Sequence, residues 1–295
     1  MPWILSHMHS FSSNGTLYFT PRVQEFLEKY RHIVSIGITV DGDKKLHDKC
    51  RLFPDGTGSY DLAIQAALEE LRIHKYTGTK ITLSPENVDY IFDGITSLFS
   101  LGFSEIHANC CFEDVWTKES AVKLLNELIR IADWIKENNL YDKIYFALLD
   151  PEQYRPTKDS DLESNWCGAG GTNSAMYSVN YTGKIYPCLR FAESSLDKNL
   201  KPISIGHIDY GILKTDEEKT NNDLLLSCSR QKLCVEECLN CPIGSGCSWC
   251  LGANYQLTGG FNTKMNTICE TYKMCALASK YLCKIVKDID NYKLI

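Results

Sequence analysis

The sequence predicts an α/β chain in two parts: strand–helix units forming a parallel sheet over residues 1–160, then a small cysteine-rich α+β domain over 161–295. Three observations predict it. Between Pro21 and Leu149 the apolar residues switch repeatedly between the helical period and the strand period. At Asp150 the composition turns polar and proline-containing, and beyond it six of the fourteen cysteines crowd between Cys234 and Cys269. Repeated strand–helix units imply strands that run parallel, in a barrel or a doubly wound sheet. A complete eight-fold barrel needs about 250 residues, and only about four units are legible, so the region is a partial (β/α) TIM-type barrel, a small open sheet, or a barrel lacking its first strands.

Val23, Phe26, Leu27 and Tyr30 fit one helical face, and Ile36, Ile38 and Val40 then alternate as in a strand. After Ser59, read as an N-cap, Ile64, Ala67, Leu68 and Leu71 make the next stripe, and TKITL (79–83) follows as a strand. Ser84-Pro85 places proline at a first helical position, with Val88, Ile91, Phe92, Ile95 and Phe99 on one face and Gly102 as the stop. SEIHAN (104–109) reads as a strand, Leu124, Leu125, Leu128, Ile131 and Ile135 as a long helix, and KIYFALL (143–149) as a further strand. Residues 150–166 read as a linker. MYSVN and KIYPCLRF read as short strands around a Gly183 turn, and 271–292 as a terminal helix with Cys275, Leu282, Ile285 and Ile289 near one face.

The net charge of −6 is spread without a basic run, which argues against a nucleic-acid partner. No apolar run approaches the roughly 20 residues of a membrane span, and the first residues lack the layout of a signal peptide, so a cytoplasmic chain is expected. There thiols stay reduced, and fourteen cysteines read as metal ligands rather than disulfides. Cys238-x2-Cys241-x5-Cys247-x2-Cys250 can present four sulfurs to one centre, which suits tetrahedral zinc or an iron–sulfur cluster equally. Asp150 ends its strand on the face where barrels place their chemistry and is a candidate acid or base; Cys110 and Cys111 end theirs similarly.

The segment VDGDKKLHDKCRLFPDGTGSYD (40–61) resembles the stretch after the fourth barrel strand of radical S-adenosylmethionine peptide-modifying enzymes, and Asn14-Gly15 resembles the turn after their third. The pattern Cys167-x15-Gly183-x4-Cys188, then Cys238, Cys241, Cys247, Cys250 and Cys269, is similar to their SPASM domain. WCGAGG with IYPCLRFAESSL looks like the thioether-forming members that act on Cys-rich peptides.

The resemblance implies two auxiliary [4Fe–4S] clusters. Cys238, Cys241, Cys247 and Cys269 would hold the distal one, and Cys167, Cys188 and Cys250 the proximal one. Residues 168–187 hold no fourth proximal ligand, so Cys234 or Cys275 completes that site or one iron stays open. It also implies that Thr39, Asp41 and Arg51 contact S-adenosylmethionine, with Asp41-Gly42 as a turn and Arg51 as a loop brace the alternatives. The partners implied are a Cys-rich precursor peptide and an electron donor or a complementing N-terminal half.

Two motifs of such enzymes do not occur before Asn14: the cofactor-cleaving Cys-x3-Cys-x2-Cys loop and the Gly-Gly-Glu that binds the cofactor's amino end. The expectation is a chain that starts near the third barrel strand. Cys234-x3-Cys238-x2-Cys241 matches the cleaving loop in spacing, yet it lies far downstream, where no first barrel strand precedes it. The alternatives from other classes are a non-catalytic iron–sulfur electron-transfer or peptide-binding module and a structural zinc protein.

Overall fold

The computed structural model describes residues 8–74, 78–112, 116–163, 176–247, 250–261 and 268–287. The chain forms two units, Met1–Pro151 with Glu270–Lys293, and Glu152–Cys269 with the last two residues. The boundary therefore falls at Pro151 and not near residue 160.

In the first unit five strands run parallel: β1 (His9–Ser13) pairs with β2 (Val34–Ile38), and β3 (Thr79–Leu83) with β4 (Glu105–Cys110), which pairs with β5 (Tyr145–Phe146). Helices connect them. α1 (Pro21–Tyr30) starts with a proline and buries only Leu27 of its anticipated face. α2 (Lys44–Cys50), which periodicity did not reveal, is capped by Asp43, whose carboxylate accepts from the Leu46 N–H at 2.9 Å. α3 (Tyr60–His74) follows. Ser59 does not cap it through its side chain; the Tyr60 N–H goes to Asp48 Oδ1 at 2.9 Å.

The helix expected to open at Pro85 instead begins at Ile91 (α4, Ile91–Ser100). Asn87 first closes a turn by accepting from the Ser84 N–H (2.8 Å) and donating to the Thr82 carbonyl (3.0 Å). α4 has no local cap. Its Phe92 N–H is taken at 3.1 Å by the buried carboxylate of Glu127 in α5 (Lys118–Glu137), an anion placed at the positive end of the helix dipole. The strand expected at 143–149 holds its ladder for two residues, after which Ala147–Leu149 coil into a 3₁₀ turn.

No backbone hydrogen bond joins β2 to β3 among the described residues; side chains close that seam. The buried Thr79 hydroxyl accepts from the Val40 N–H (3.1 Å) and donates to the Ile38 carbonyl (3.1 Å). Further along the seam the Asp41 carboxylate accepts from the Thr82 N–H at 3.0 Å. Gly42 is required beside it: its φ is +118°, and a Cβ there would meet Leu46 Cδ2 at 2.7 Å and the Gly94 Cα at 2.8 Å.

The second unit opens with a short helix, α6 (Asp159–Leu162). A four-stranded antiparallel sheet follows, β6 (Ser178–Val179), β7 (Lys184–Tyr186), β8 (Gly206–His207) and β9 (Gly211–Ile212), with the expected hairpin at Gly183. After it come α7 (Asp216–Leu226), α8 (Arg230–Leu233), α9 (Glu236–Leu239) and α10 (Leu251–Thr258). Tyr186, Phe191, Leu225, Leu251, Tyr255 and Phe261 form its core.

α11 (Cys269–Lys287) belongs from Glu270 onward to the first unit, which corrects the expectation that 161–295 form one domain. The cause is its buried stripe of Cys275, Ala276, Ala278, Ser279, Leu282 and Cys283, with the Ser279 hydroxyl donating to the Leu149 carbonyl at 2.9 Å and Tyr281 to Asp133 at 2.7 Å. No described helix is long and apolar enough to cross a membrane.

If Thr79 closes the seam, Thr79→Val orphans two buried backbone groups at about 1–3 kcal/mol each. Urea unfolding should then show a loss of about 2–4 kcal/mol for Thr79→Val and under about 1 kcal/mol for Thr79→Ser, which keeps the hydroxyl. Equal losses for the two would remove the hydroxyl from the account.

Candidate functional site

The carboxyl ends of parallel strands are where open α/β sheets and barrels carry ligands. Here that rim is shaped by a closed ring of hydrogen bonds. The Asp41 N–H donates to His47 Nδ1 (3.1 Å), His47 Nε2 meets Ser59 Oγ (3.2 Å), and the Ser59 hydroxyl donates to the Arg51 carbonyl (2.9 Å). The Arg51 guanidinium returns to the Asp41 carboxylate through Nε and, at 3.3 Å, through Nη2. Because a backbone N–H points at Nδ1, that nitrogen must accept and Nε2 must carry the proton. Burial lowers the His47 pKa first; Asp41 opposes this and Arg51 adds to it.

Arg51 pairs with Asp41, as a residue bracing the loop would, and the Asp41 carboxylate also takes the Thr82 N–H. Thr39 stands apart from the ring. Its N–H donates to the Ser13 carbonyl at 2.9 Å, and it lies half-buried at the end of β2.

Below the rim, one face of β3 and β4 is polar. Glu105, His107 and Asn109 alternate with the buried Ile106, Ala108 and Cys110, and Lys80 and Thr82 alternate with Ile81 and Leu83. Lys80 stands opposite His107, and Thr82 opposite Asn109. Glu105 Oε1 lies 2.8 Å from His107 Nε2, and the Tyr145 ring centre is 5.7 Å from that of His107. Tyr145 donates at 3.2 Å to Asp150 Oδ2. Asp150, predicted as an acid or base ending its strand, instead follows the 3₁₀ turn after β5, beside the Tyr145 phenol, and lines a cavity of about 160 Å³ with Tyr141, Leu149 and Leu282. The sequence signal for this polar face was the alternation in SEIHAN; parallel strands covered on both faces read as continuous apolar runs instead.

The cysteines of the second unit lie on a series of turns. The N–H groups of Cys241, Gly244 and Cys247 donate to the carbonyls of Cys238, Cys241 and Gly244 at 3.4, 3.1 and 3.3 Å. Two anchors hold the loop. Ser245 exchanges hydrogen bonds with Arg155 through its N–H (2.8 Å) and its Oγ (2.9 Å), and the buried Arg230 donates to the Gly244 carbonyl (2.6 Å) and to Thr157 Oγ1 (3.3 Å). Any side chain at Gly244 would collide with Thr157 Oγ1. Nothing local in the sequence marked Arg230 or Thr157.

Cys250 caps α10, its Sγ accepting from the Ala253 N–H at 3.4 Å, a hydrogen bond of the kind that metal-bound sulfurs receive. Cys269 opens α11, Cys188 precedes a 3₁₀ turn, and Cys234 ends α8; all are half-buried. Cys167 lies outside the described residues. Cys275 is buried in the first unit, where contact with its thiol, with burial, pushes the Cys110 thiol well up. That placement makes it a core residue of the first unit. Cys50 is exposed.

The thiol donors suit a soft metal, but as placed they do not close round one: among the described residues no three His, Cys, Asp or Glu side chains converge as ligands. Cys234-x3-Cys238-x2-Cys241 spans the end of α8 and the whole of α9 in the second unit, and no parallel strand precedes it there among the described residues.

No family model matches the chain, and no curated protein matches it in sequence. Solved structures do match it. Native anSMEcpe with bound AdoMet and Kp18Cys peptide is 17% identical with a TM-score of 0.63, over 96% of this chain and 76% of that one. The same protein with Cp18Cys peptide gives 17% and 0.62 over 96% and 77%. A histidine-tagged form of anSMEcpe with bound AdoMet gives 17% and 0.62 over 96% and 72%. At this identity the likeness is one of fold.

The His47 geometry generates a pH dependence. A histidine whose folded pKa lies below its ordinary value contributes stability that is present above about pH 6.5 and is lost as pH falls toward the folded pKa, by up to about 1.4 kcal/mol per pH unit. His47→Gln, which can accept from Asp41 and donate to Ser59 without titrating, should flatten that part of the curve in urea unfolding between pH 7 and 5. Identical pH slopes for the two proteins would place the titration elsewhere.

Proposed function

We propose that the chain works as part of a radical S-adenosylmethionine peptide maturase, its first unit supplying strands of a partial barrel and its second binding auxiliary iron–sulfur clusters. One observation carries this reading: parallel strand–helix units with the fold of anSMEcpe, a radical S-adenosylmethionine maturase, occur in one chain with the Cys238-x2-Cys241-x5-Cys247-x2-Cys250 spacing. Cys238, Cys241, Cys247 and Cys269 are the proposed ligands of one cluster. Cys250, Cys188 and Cys167 are those of the other, with Cys234 the remaining candidate. The Arg230 and Ser245 anchors hold the 238–247 turns that carry three of these ligands. When bound, such clusters supply one-electron chemistry or an iron that takes a thiolate.

The residues themselves would bind and orient the ligand. The polar face of β3 and β4 offers fixed donors and acceptors for a peptide and for the polar end of S-adenosylmethionine. Thr39 adds a hydroxyl at the end of β2, and Asp150, bonded by Tyr145, is the group proposed to take up or return a proton. The proposed substrate is a Cys-containing precursor peptide, with thioether formation the proposed outcome.

We infer that a complementing half of the enzyme would dock on the outer side of β1, where no strand pairs among the described residues. The His9 N–H and the Ser13 carbonyl are bonded toward β2, so in parallel pairing Ser10 and Ser12 turn their backbone groups to the open edge, beside the exposed Phe11.

Anaerobically purified protein should contain iron and acid-labile sulfide in about equal amounts, at roughly four to eight of each per chain, and show cluster absorption and EPR signals. A colourless protein with zinc alone sinks the proposal in favour of the structural zinc reading. With dithionite and S-adenosylmethionine, the isolated chain should form no 5′-deoxyadenosine; product above the no-protein control would show that this chain holds a cleaving cluster itself.

A further inference from the structure

Lys80 lies near the start of β3, opposite His107, yet its ammonium reaches two residues further along β4. With the Asn109 amide turned so that its nitrogen donates to the Ala108 carbonyl (3.1 Å), Asn109 Oδ1 accepts from Lys80 Nζ at 3.1 Å. The amide is fixed from behind, and it steers the ammonium toward the carboxyl-end rim. Lys80 and Asn109 are both exposed. An ammonium has three donors, and the described contacts use one.

The carboxylates nearby in the fold are spent elsewhere. Glu105 is held by His107, and Asp41 by Arg51 and the Thr82 N–H. Among the described residues none lies within ion-pairing distance of Lys80. A fixed cation with open donors suits a single anionic group. A carboxylate can take an N–H···O⁻ bond from Lys80 while its neighbouring amide or hydroxyl meets Asn109, Thr82 or His107.

We propose that Lys80, positioned by Asn109, anchors one carboxylate of the ligand on this face. This deepens the reading above by giving the open face a ligand chemistry. Two sources carry such a group, the amino-acid end of S-adenosylmethionine and a cysteine-containing peptide, and they can be told apart.

The test is protection of Lys80 from acetylation by an N-hydroxysuccinimide ester on the full chain, read by peptide mass spectrometry with other lysines as internal references. The probes are S-adenosylmethionine against its decarboxylated form, and N-acetylcysteine against N-acetylcysteinamide. One acid should slow labelling of Lys80 by about threefold at twice its dissociation constant while its carboxylate-free counterpart does not; which acid does so identifies the source. Asn109→Asp, which puts an internal carboxylate beside Lys80 with little change in shape, should abolish the protection. Unchanged labelling with both acids, or equal protection by acid and carboxylate-free probe, overturns the proposal. Iron and sulfide content tests the maturase reading separately, so either can fail while the other stands.

Discussion

The first unit depends on how β2 meets β3. Each flanking ladder is an ordinary parallel pairing, but the strands between them share no backbone ladder, and buried N–H and C=O groups cannot be left unpaired. Thr79 closes the seam at its base and Asp41 near its top. Asp41 can do so because Arg51 neutralises it, and Arg51 is in turn held through Ser59 and His47. A loop of some twenty residues after β2 is therefore built to present one carboxylate to the neighbouring strand, and Gly42 is there because the same loop must pass against Gly94.

This gives the segment from Val40 to Asp61 a physical meaning that motif matching alone did not. Read from sequence, Asp41, Arg51 and Thr39 were candidates for cofactor contacts. The fold pairs Asp41 with Arg51, and a second polar surface lies deeper, on Lys80, His107 and Asn109. Those residues were visible as an alternation, but periodicity reports which side chains share a face and says nothing of whether that face is covered.

Legibility followed the range of the interactions. The helix of 118–137 and the strand of 79–83 were read correctly because their apolar stripes are local and strong. The start of α4 was misplaced because its cap comes from Glu127, thirty-five residues away, while Asn87 diverts the chain after Pro85. The terminal helix was assigned to the wrong unit because an apolar stripe does not name its partner. In the cysteine loop the spacing was plain, but the pinning of Gly244 by Arg230 and Thr157 joins residues seventy-three positions apart, and no window of sequence contains it.

A sheet stitched by side chains at one seam has a mechanical fuse. Pulling β2 from β3 breaks a few hydroxyl and carboxylate contacts, whereas peeling either flanking ladder breaks a row of backbone bonds at once. Load arriving at this sheet, from a ligand seated on it or from strands added at its edge, concentrates along that line. The polar face lies beside the line, so the part of the molecule best placed to hold a ligand is also the part that yields first.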